Sequence, residues 1–492
     1  MSPRARLDDA TRRRFLLSGA ALVVGACASG DADDAPRSAS SGSGDDTLDG
    51  ASPEGQLIDR PDARPEVTGD APPAHRLTTA GRGWARTSAN APIFRKDALT
   101  SDATHQYAAW YDDDAQVSVA RRALGSEDWT SAASGFAGRP RDAHNAISLM
   151  LDGAGYLHLC WDHHVDPLRY ARSVAPGTLA FSPPESMLGR DEGAVTYPEF
   201  LALPSGDLLF AYRDGRSGDG RLILNRYATA SARWSRVQSL LLDGEGERNA
   251  YWQLHVDPAG TLHLSWLWRE SSDVATNHDI HYARSTTGGE TWSDVHGAPL
   301  ALPITAAGVA PVRAIPENSN LINQTSIVAD AAGVPVIATY FRPSPDAVTD
   351  IHVVAFDPPS ATWRTERVTR RASDFALSGR GTKSLPISRP QIVAEARGDE
   401  RWLHVLYRDA ERGDRAVLAS SERTAGSPWT YRTLPGGPLD RWEPAFDSRA
   451  WRDRGELHVY LQRVGQVDLE GVDESYPPTD VRVLEIALPG TR

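Results

Sequence analysis

The chain has 492 residues, 65 acidic and 52 basic side chains, and a net charge of −13. This acidic balance argues against a general nucleic-acid-binding surface, which requires a basic face. The two cysteines exclude a disulfide-based fold. The sequence holds 41 Gly, 34 Pro and 14 Trp but only 3 Met, which favours short strands and many turns over long helices.

The first 27 residues have the features of an export signal. Three arginines at 12–14 precede an apolar run over residues 15–26, which is too short to span a membrane. The arginines resemble a twin-arginine signal, and residues 24–27 resemble a lipoprotein cleavage box in which Cys27 is lipidated. We therefore expect a lipid anchor at Cys27, in the periplasm or outer membrane, with an ordinary cleaved signal and secretion as the alternative. This lipid is the only membrane contact that we expect.

Residues 28–80 form a second compositional segment. Residues 28–74 contain 11 acidic and 3 basic side chains among Ser, Gly, Ala and Pro. Such a stretch cannot bury enough apolar surface to fold. We predict a disordered linker over residues 28–80 and one folded domain over residues 81–492.

One strand pattern recurs seven times in the folded region. Each copy is a run of alternating apolar and aromatic residues that often ends in Tyr or Trp and a charge. The copies lie at residues 105–112, 156–162, 207–214, 261–268, 334–341, 401–408 and 456–462. A second strand follows each copy, and five pairs close near Trp129, Trp234, Trp292, Trp363 and Trp429. The pattern predicts an all-β fold, a seven-bladed β-propeller, because a stacked β-solenoid would have shorter repeats.

Several histidines and one cysteine occupy recurrent strand positions. His105, His158, His263, His404 and His458 fall at one equivalent place, which indicates packing and not chemistry. Cys160 lies within an apolar strand and is predicted to be a small buried residue.

Four residues break this regularity at two neighbouring blades. His144 precedes the strand pattern of the second blade, and His164 follows it. Tyr197 and Arg213 have the same relation to the third blade. The propeller would bring these four side chains to adjacent blade ends, either as a hydrogen-bonded rim without chemistry or as an active site.

These side chains suit the β-elimination of a 4-linked uronic acid. Arg213 can neutralise the carboxylate, so that the C5 proton becomes acidic. A His or an ionised Tyr can remove that proton, and a Tyr or His can protonate the leaving O4. The sequence does not decide whether His144 or Tyr197 is the base, and this chemistry requires no cofactor.

Several segments resemble the BNR-repeat-containing family, which includes the ulvan lyases of polysaccharide lyase families 24 and 25. They lie at residues 144–145, 156–164, 168–173, 196–200, 212–227, 251–253, 266–270, 278–285, 323–325 and 442–444. The resemblance covers residues 85–465 and implies a seven-bladed propeller. It also implies lytic cleavage beside uronic acid in a sulfated, rhamnose-containing polymer, with His144, His164, Tyr197 and Arg213 as the catalytic residues.

An anionic polysaccharide substrate requires further contacts, although the chain from His75 onward has a net charge of about −8. The substrate-binding candidates are Asn145, His163, Arg141, Arg269 and Asn323. Arg139, Arg216 and Arg221 are further candidates for a positive groove. We expect no catalytic metal and consider only a structural ion at residues 277–281. We expect no nucleic-acid partner and a monomer.

Two other functions stay open at this stage. A propeller glycoside hydrolase, of the rhamnosidase or sialidase kind, would ordinarily require two carboxylates flanking the bond. A glycan-binding surface lipoprotein would have no turnover. The lyase predicts that Tyr197→Phe or Arg213→Ala greatly reduces activity without loss of the fold.

Overall fold

The computed structural model describes residues 57–58, 75–92, 97–423 and 427–488. The predicted signal over 1–27, the lipidation at Cys27 and most of the predicted linker lie outside these ranges. Within the described ranges, no helix has the length and apolar character needed to cross a membrane.

Seven sheets follow one another along the chain and form seven propeller blades. Two strands precede the first blade: β1 (Leu57–Ile58) and β2 (Arg76–Gly83). Blade one contains β3 (Leu99–Ser101), β4 (His105–Tyr111), β5 (Gln116–Ala123) and β6 (Thr130–Ala137). Blade two begins with β7 (Ile147–Leu151) and β8 (Leu157–Trp161), then β9 (His164–Asp166) crosses to blade three, and β10 (Tyr170–Arg172) completes blade two. Blade three continues with β11 (Val195–Ala202), β12 (Leu208–Arg216), β13 (Asp219–Ala228) and β14 (Arg233–Gln238).

The remaining blades repeat this antiparallel arrangement. Blade four contains β15 (Asn249–Val256), β16 (Leu262–Arg269) and β17 (Asn277–Ser285). Blade five contains β18 (Ser326–Ala329), β19 (Pro335–Phe341), β20 (Asp350–Asp357) and β21 (Thr362–Arg367), to which β1 adds in parallel. Blade six contains β22 (Gln391–Arg397), β23 (Glu400–Asp409), β24 (Arg415–Glu422) and β25 (Thr430–Thr433). Blade seven contains β26 (Ala445–Phe446), α1 (Ser448–Arg454), β27 (Leu457–Leu461) and β28 (Thr479–Ile486). Four short 3-10 helices lie at Ser88–Asn90, Val274–Thr276, Ala306–Gly308 and Ala410–Arg412.

The ring is closed by a strand from the beginning of the domain. β2 pairs antiparallel with β28, from Arg76 opposite Glu485 to Gly83 opposite Thr479, and supplies the outer strand of blade seven. β1 at Leu57–Ile58 already lies within the predicted linker, and the boundary predicted at residue 81 falls inside β2. Local composition cannot reveal this, because the partner of β2 lies about 400 residues away in the sequence.

The seven recurrent strands predicted from the sequence are the second strands of their blades, not the innermost ones. The first strands, from β3 through β7, β11, β15 and β18 to β22, contact one another around the axis. The second strands lie one step outward, where both of their faces pack against neighbouring blades. This explains why they are rich in buried aromatic and branched residues.

The core is divided among the blade interfaces. Seven apolar clusters are buried, and each combines side chains from two adjacent blades. A single blade therefore cannot bury its apolar surface alone, and the whole ring must form for any blade to be stable.

The recurrent histidines behave as predicted, with one correction. His158 is fully buried and lies 2.8 Å from the Tyr170 hydroxyl and 3.3 Å from Asp152. His263, His404 and His458 are likewise buried and hydrogen-bonded. His105 is not equivalent to them, because it is only partly buried at the start of β4.

Tyr107 takes the place that the pattern assigned to His105. Its hydroxyl faces Asp102 at 3.4 Å, as His158 faces the turn residue Asp152 in the next blade. The predicted equivalent position in blade one was therefore wrong by two residues. A shift of two residues on a strand leaves the side chain on the same face. Cys160 is buried and free, as predicted.

Candidate active site

A cavity of about 540 Å³ lies at one end of the propeller. One side is formed by His144, His164, Tyr197, Arg213 and Tyr251, from blades two, three and four. Loop residues within 380–389, 441–443 and 466–470 also line the cavity. The cavity therefore joins residues that are more than 300 positions apart in the sequence.

Strand pairing aligns two of the predicted site residues. His164 on β9 lies opposite Thr196 on β11, and Thr196 lies opposite Arg213 on β12. Residues opposite one another across a sheet share a face. His164 and Arg213 therefore point to the same side of blade three. The Thr196 hydroxyl fixes this crossing by accepting a hydrogen bond from the backbone N–H of Val165 at 2.8 Å.

Tyr197 reaches the cavity because β11 is irregular at this point. The residue after Thr196 would normally face the other side of the sheet. The register shifts between Thr196 and Glu199, and Tyr197 has φ +55°, a left-handed conformation that is uncommon for a bulky residue. Pro198, which follows, has no N–H to offer the ladder. The bulge thus directs the Tyr197 ring to within 6.0 Å of the His144 ring.

The two histidines form a stacked pair that one carboxylate bridges. Their ring centroids are 4.0 Å apart, and their planes differ by 14°. Nδ1 of His164 lies 2.7 Å from Oδ2 of Asp142, and Nδ1 of His144 lies 3.2 Å from Oδ1 of the same residue. Asp142 lies two residues before His144 in the sequence, but residue spacing alone indicates no role for it.

His144 has a second acidic neighbour. Oε2 of Glu470 lies 3.4 Å from its Nδ1. Burial opposes the charged imidazolium, but Asp142 and Glu470 outweigh it and raise the pKa of His144 to about 9. His144 is therefore positively charged at neutral pH. Glu470 is held in place by the Thr382 backbone N–H, which donates to Oε1 at 3.2 Å.

No described residue supplies an acidic partner for two guanidinium groups of this wall, those of Arg213 and Arg269. Arg213 is 4% exposed, and its Nε has no hydrogen-bond partner among the described residues. Arg269 donates to the Tyr251 hydroxyl at 3.2 Å and to the backbone carbonyls of Ser271 and Ser272. Within the described ranges, neither arginine has a carboxylate within 4.0 Å. Buried cations of this kind create a strong preference for an anionic ligand.

The shape of β13 makes room for Arg213. A Cβ atom on Gly220 would lie 2.5 Å from Cδ of Arg213, so glycine at this position leaves space for the arginine stem. The guanidinium then lies over the Tyr197 ring, 5.0 Å from its centroid. This contact fixes the charged group beside the tyrosine.

The pKa values of the two cavity tyrosines, Tyr197 and Tyr251, are shifted in opposite directions. Burial, reinforced by Tyr251, raises the pKa of Tyr197, although Arg213 opposes the change. Burial would also raise the pKa of Tyr251, but Arg269 and Arg213 outweigh it and lower that pKa. Tyr197 therefore keeps its phenolic proton more firmly than Tyr251.

The cavity is basic although the chain is acidic. Seven basic side chains line it, against two acidic ones, Glu443 and Glu470. The basic residues are Arg213, Arg269, Arg380, Lys383, Arg389, Arg408 and Arg441. The loop residues Arg380 and Lys383, which also line the cavity, have no ion pair with the described part of the chain. The site therefore concentrates positive charge where a polyanion can enter.

Family and structural comparisons agree with this architecture. The model of the BNR repeat-containing family matches residues 105–371, more than half of the chain. The chain belongs to this family. A comparison with curated proteins gave no match.

Solved structures similar to this BNR-repeat protein include two kinds of lyase. The polysaccharide lyase Uly1 is 16% identical, with a TM-score of 0.60 over 80% of this chain and 90% of that chain. A PL25 ulvan lyase is 14% identical, with a TM-score of 0.58 over 79% and 93%. A PL25 ulvan lyase bound to -[GlcA(1-4)Rha3S]- is also 14% identical and gives 0.57 over 78% and 92%. At these identities the similarity establishes a common fold.

The structure of this BNR-repeat protein brings together six of the nine predicted site residues. His144, His164, Tyr197, Arg213, Arg269 and Asn323 all line the cavity. The pairing of His144 with His164 and of Tyr197 with Arg213 across two adjacent blades is thus present in the structure.

Three predicted substrate-binding residues do not line the cavity. His163 is fully buried, accepts a hydrogen bond from the backbone N–H of Arg169 at 2.9 Å, and has a pKa that burial and Arg169 lower to about 3. Arg141 is exposed and bonded to Glu474 at 2.5 Å. Asn145 is buried and donates to the carbonyl of Arg139 at 2.9 Å. Adjacent residues of an extended segment point in opposite directions, so His164 faces the cavity and its neighbour His163 does not.

The predicted sources of positive charge were also largely wrong. Arg139 binds Asp166 at 2.9 Å, and Arg221 binds Asp214. Neither these two residues nor Arg216 lines the cavity. Residue spacing could not identify Arg380, Lys383 and the other basic loop residues of the cavity. Only the closure of the ring brings them into the same cavity as Arg213.

The histidines of the candidate metal segment at residues 277–281 make contacts with other side chains of the protein. His278 lies 2.8 Å from Glu270 and 3.0 Å from Asp279. His281 is buried and stacked on Trp266 at 5.2 Å.

Among the described residues, Asp142, His144 and His164 bring three ligand-type atoms within 4.8 Å of one another. Each imidazole Nδ1 there has its own oxygen of Asp142, and this arrangement favours a bridging carboxylate over a shared ion.

Proposed function

We propose that this protein is a polysaccharide lyase that cleaves beside a uronic acid by β-elimination. The observation that carries the proposal is the pair of buried guanidinium groups, Arg213 and Arg269, which have no acidic partner among the described residues and line the same cavity as histidines and tyrosines. A uronate carboxylate would supply the missing negative charge and would place C5 next to groups that can accept a proton.

Arg213 has the central role in substrate activation. A bidentate contact to the carboxylate neutralises it and lowers the pKa of the adjacent C5 proton. Because Arg213 is buried, this electrostatic stabilisation is stronger than it would be at the surface. Arg269 and the charged His144 add positive charge to the same cavity.

His164 and Tyr197 carry the two proton transfers. His164 accepts the C5 proton, the electrons of that C–H bond form the C4–C5 double bond, and the C4–O4 bond breaks. Tyr197 donates its phenolic proton to the departing O4, as suits a tyrosine that keeps its proton. Atoms and charge balance without a cofactor, because one proton leaves the sugar and one returns to the leaving group.

We further propose a sulfated, rhamnose-containing polymer of the ulvan type as the substrate. The cavity charge supports a polyanionic chain, since seven basic side chains face it. The structurally similar PL25 ulvan lyase binds a glucuronate–rhamnose-3-sulfate unit. We also propose that the enzyme is exported and anchored through Cys27, so that it acts on polymer outside the cytoplasm.

The decisive experiment compares Arg213→Ala with a matched control, Arg216→Ala. Arg216 lies on the same strand but outside the cavity. Protein beginning at His75 would be incubated with ulvan and other uronate polymers, and ultraviolet absorbance of the unsaturated uronate would be followed. We expect wild-type and Arg216→Ala protein to generate absorbance, and Arg213→Ala to lose about 10²–10³-fold in rate.

Other outcomes have defined meanings. New reducing ends without absorbance would establish a hydrolase and redirect attention to Glu443 and Glu470. Binding without any product would support a glycan-binding protein. Near-normal activity of Arg213→Ala would contradict the assignment of the neutralising residue.

A further inference from the structure

One carboxylate serves both histidines of the stacked pair. The two oxygens of Asp142 are divided between them, with Oδ2 facing His164 and Oδ1 facing His144. Asp142 is not among the described residues that line the cavity.

The backbone holds this carboxylate in position before any substrate arrives. Oδ1 of Asp142 also accepts a hydrogen bond from the backbone N–H of His144 at 2.9 Å. The Asp142 carbonyl accepts the N–H of Asn145 at 3.1 Å and closes the turn. An Asp side chain bonded to the backbone two residues ahead is a stable local motif. The orientation of the carboxylate is therefore a property of the turn and not of the ligand.

The chemistry of a carboxylate then determines where the ring protons lie. Burial would raise the pKa of Asp142, but its contacts with His144 and His164 lower it well below the usual range. An ionised carboxylate only accepts hydrogen bonds. Each ring must therefore direct an Nδ1 proton at Asp142, and in a neutral ring held this way the lone pair lies on Nε2.

We propose that Asp142 is a positioning residue that holds both His144 and His164 with Nδ1 protonated and turns their Nε2 atoms toward the substrate. As a role in catalysis, this inference rests on the proposed lyase function. The ring tautomers themselves can be tested without any substrate. In a simple catalytic triad one carboxylate orients one imidazole; here one carboxylate orients two.

The arrangement gives the two rings different tasks. Glu470 also lies 3.4 Å from Nδ1 of His144, so this ring faces two carboxylates and is the ring that stays charged. With its proton fixed on Nδ1, His164 presents the lone pair of Nε2, the form required of a general base. Asp142 thus allows two identical side chains, stacked at 4.0 Å, to act as a cation and as a base.

The test uses Asp142→Asn, with Asp128→Asn as a control on the exposed surface. An asparagine keeps one carbonyl oxygen for the turn but replaces the other acceptor with an N–H₂ donor. It can therefore hold only one of the two rings in the original tautomer. Two-bond ¹H–¹⁵N spectra distinguish Nδ1–H from Nε2–H, and His144→Gln and His164→Gln variants assign the signals.

We expect Nδ1–H for His164 in the wild type and a proton on Nδ1 of His144 throughout. In Asp142→Asn, at least one ring should change its tautomer or its titration. With an active polymer, kcat should fall about 100-fold or more while KM changes less than about threefold. Asp128→Asn should match the wild type in both measurements.

Three results would overturn the inference. The first is an Nε2–H tautomer for His164 in the wild type. The second is an Asp142→Asn variant with unchanged spectra and unchanged kcat. The third is a change of the wild-type histidine signals on treatment with EDTA, which would show that an ion and not the carboxylate alone holds the rings. If no uronate polymer is cleaved, the lyase proposal fails while the spectra still test Asp142.

Discussion

At the scale of single residues, the charge on His144 sets the working pH range of the site. Asp142 and Glu470 raise its pKa to about 9, so the imidazole is charged below that pH and loses its proton above it. If His144 acts as a cation beside the uronate, activity must fall as pH rises through about 9. A base with this pKa would give the opposite limb, with activity that rises through the same range.

We predict a falling alkaline limb near pH 9, and we predict that Glu470→Gln moves it to lower pH. The substitution removes one of the two carboxylates that favour the charged ring and retains an isosteric side chain. The measurement is kcat across pH 6–10 for the wild type and the variant. Glu474→Gln is the control, because Glu474 lies on the same segment but is exposed and bound to Arg141.

A rising limb at the same pH would contradict the role of His144 as a cation and would assign it as the base. An unchanged limb in Glu470→Gln would show that Asp142 alone controls this titration. Either result would leave the geometry of the stacked pair as described.

At the scale of elements, irregular strands create the site and a long-range strand completes the fold. The bulge in β11 places Tyr197 on the face occupied by His164 and Arg213, which a regular strand would not do. Backbone strain of this kind persists where the surrounding structure holds it. The neighbouring strands β9 and β12, which pair with β11 on either side, supply that support.

The pairing of β2 with β28 predicts the minimal stable domain. Protein beginning at residue 84 would lack β2, leave β28 as an exposed edge and open blade seven. Losing several ladder hydrogen bonds, at about 1 kcal/mol each, should cost about 3–6 kcal/mol. We expect its Tm to lie roughly 5–10 °C below that of protein beginning at His75, as measured by calorimetry at one pH. Equal Tm values would show that β2 does not close the ring in solution.

At the scale of the whole molecule, the ring converts distant loops into one cavity. The loop around Thr382 and the segment around Glu470 meet His144 only because blades six and seven return to blade one. The seven interblade clusters fix this geometry, since each blade is buried by its two neighbours. Substrate binding therefore depends on closure of the whole ring.

The proposed anchor places this ring outside the cytoplasm, and it has a direct test. Cys27→Ser should abolish incorporation of labelled fatty acid and move the protein from the membrane fraction to the soluble fraction of the envelope. A matched Cys160→Ser variant should remain membrane-bound, because Cys160 is buried within blade two. Labelling that persists in Cys27→Ser would contradict lipidation at this position.

The sequence by itself determined the architecture and half of the chemistry. Seven copies of one strand pattern predicted seven blades, because alternation and turns are local properties that each blade repeats. His144 and His164 are placed around the recurrent strand of blade two as Tyr197 and Arg213 are around that of blade three. This correspondence predicted one wall of the cavity, because adjacent blades are adjacent in sequence. Burial of Cys160 and His158 followed from the same regularity.

The tertiary structure alone decided the rest. It showed that His164 lines the cavity and His163 does not, which depends on the direction of each side chain. It likewise brought the basic residues of the loops beyond residue 379 into the same cavity as Arg213. It also revealed Asp142 and Glu470 around His144, whose significance lies in distances of 3.2 and 3.4 Å and not in spacing. The physical reason is that closure of the ring, through β2 and β28, joins segments with no local relation in the sequence.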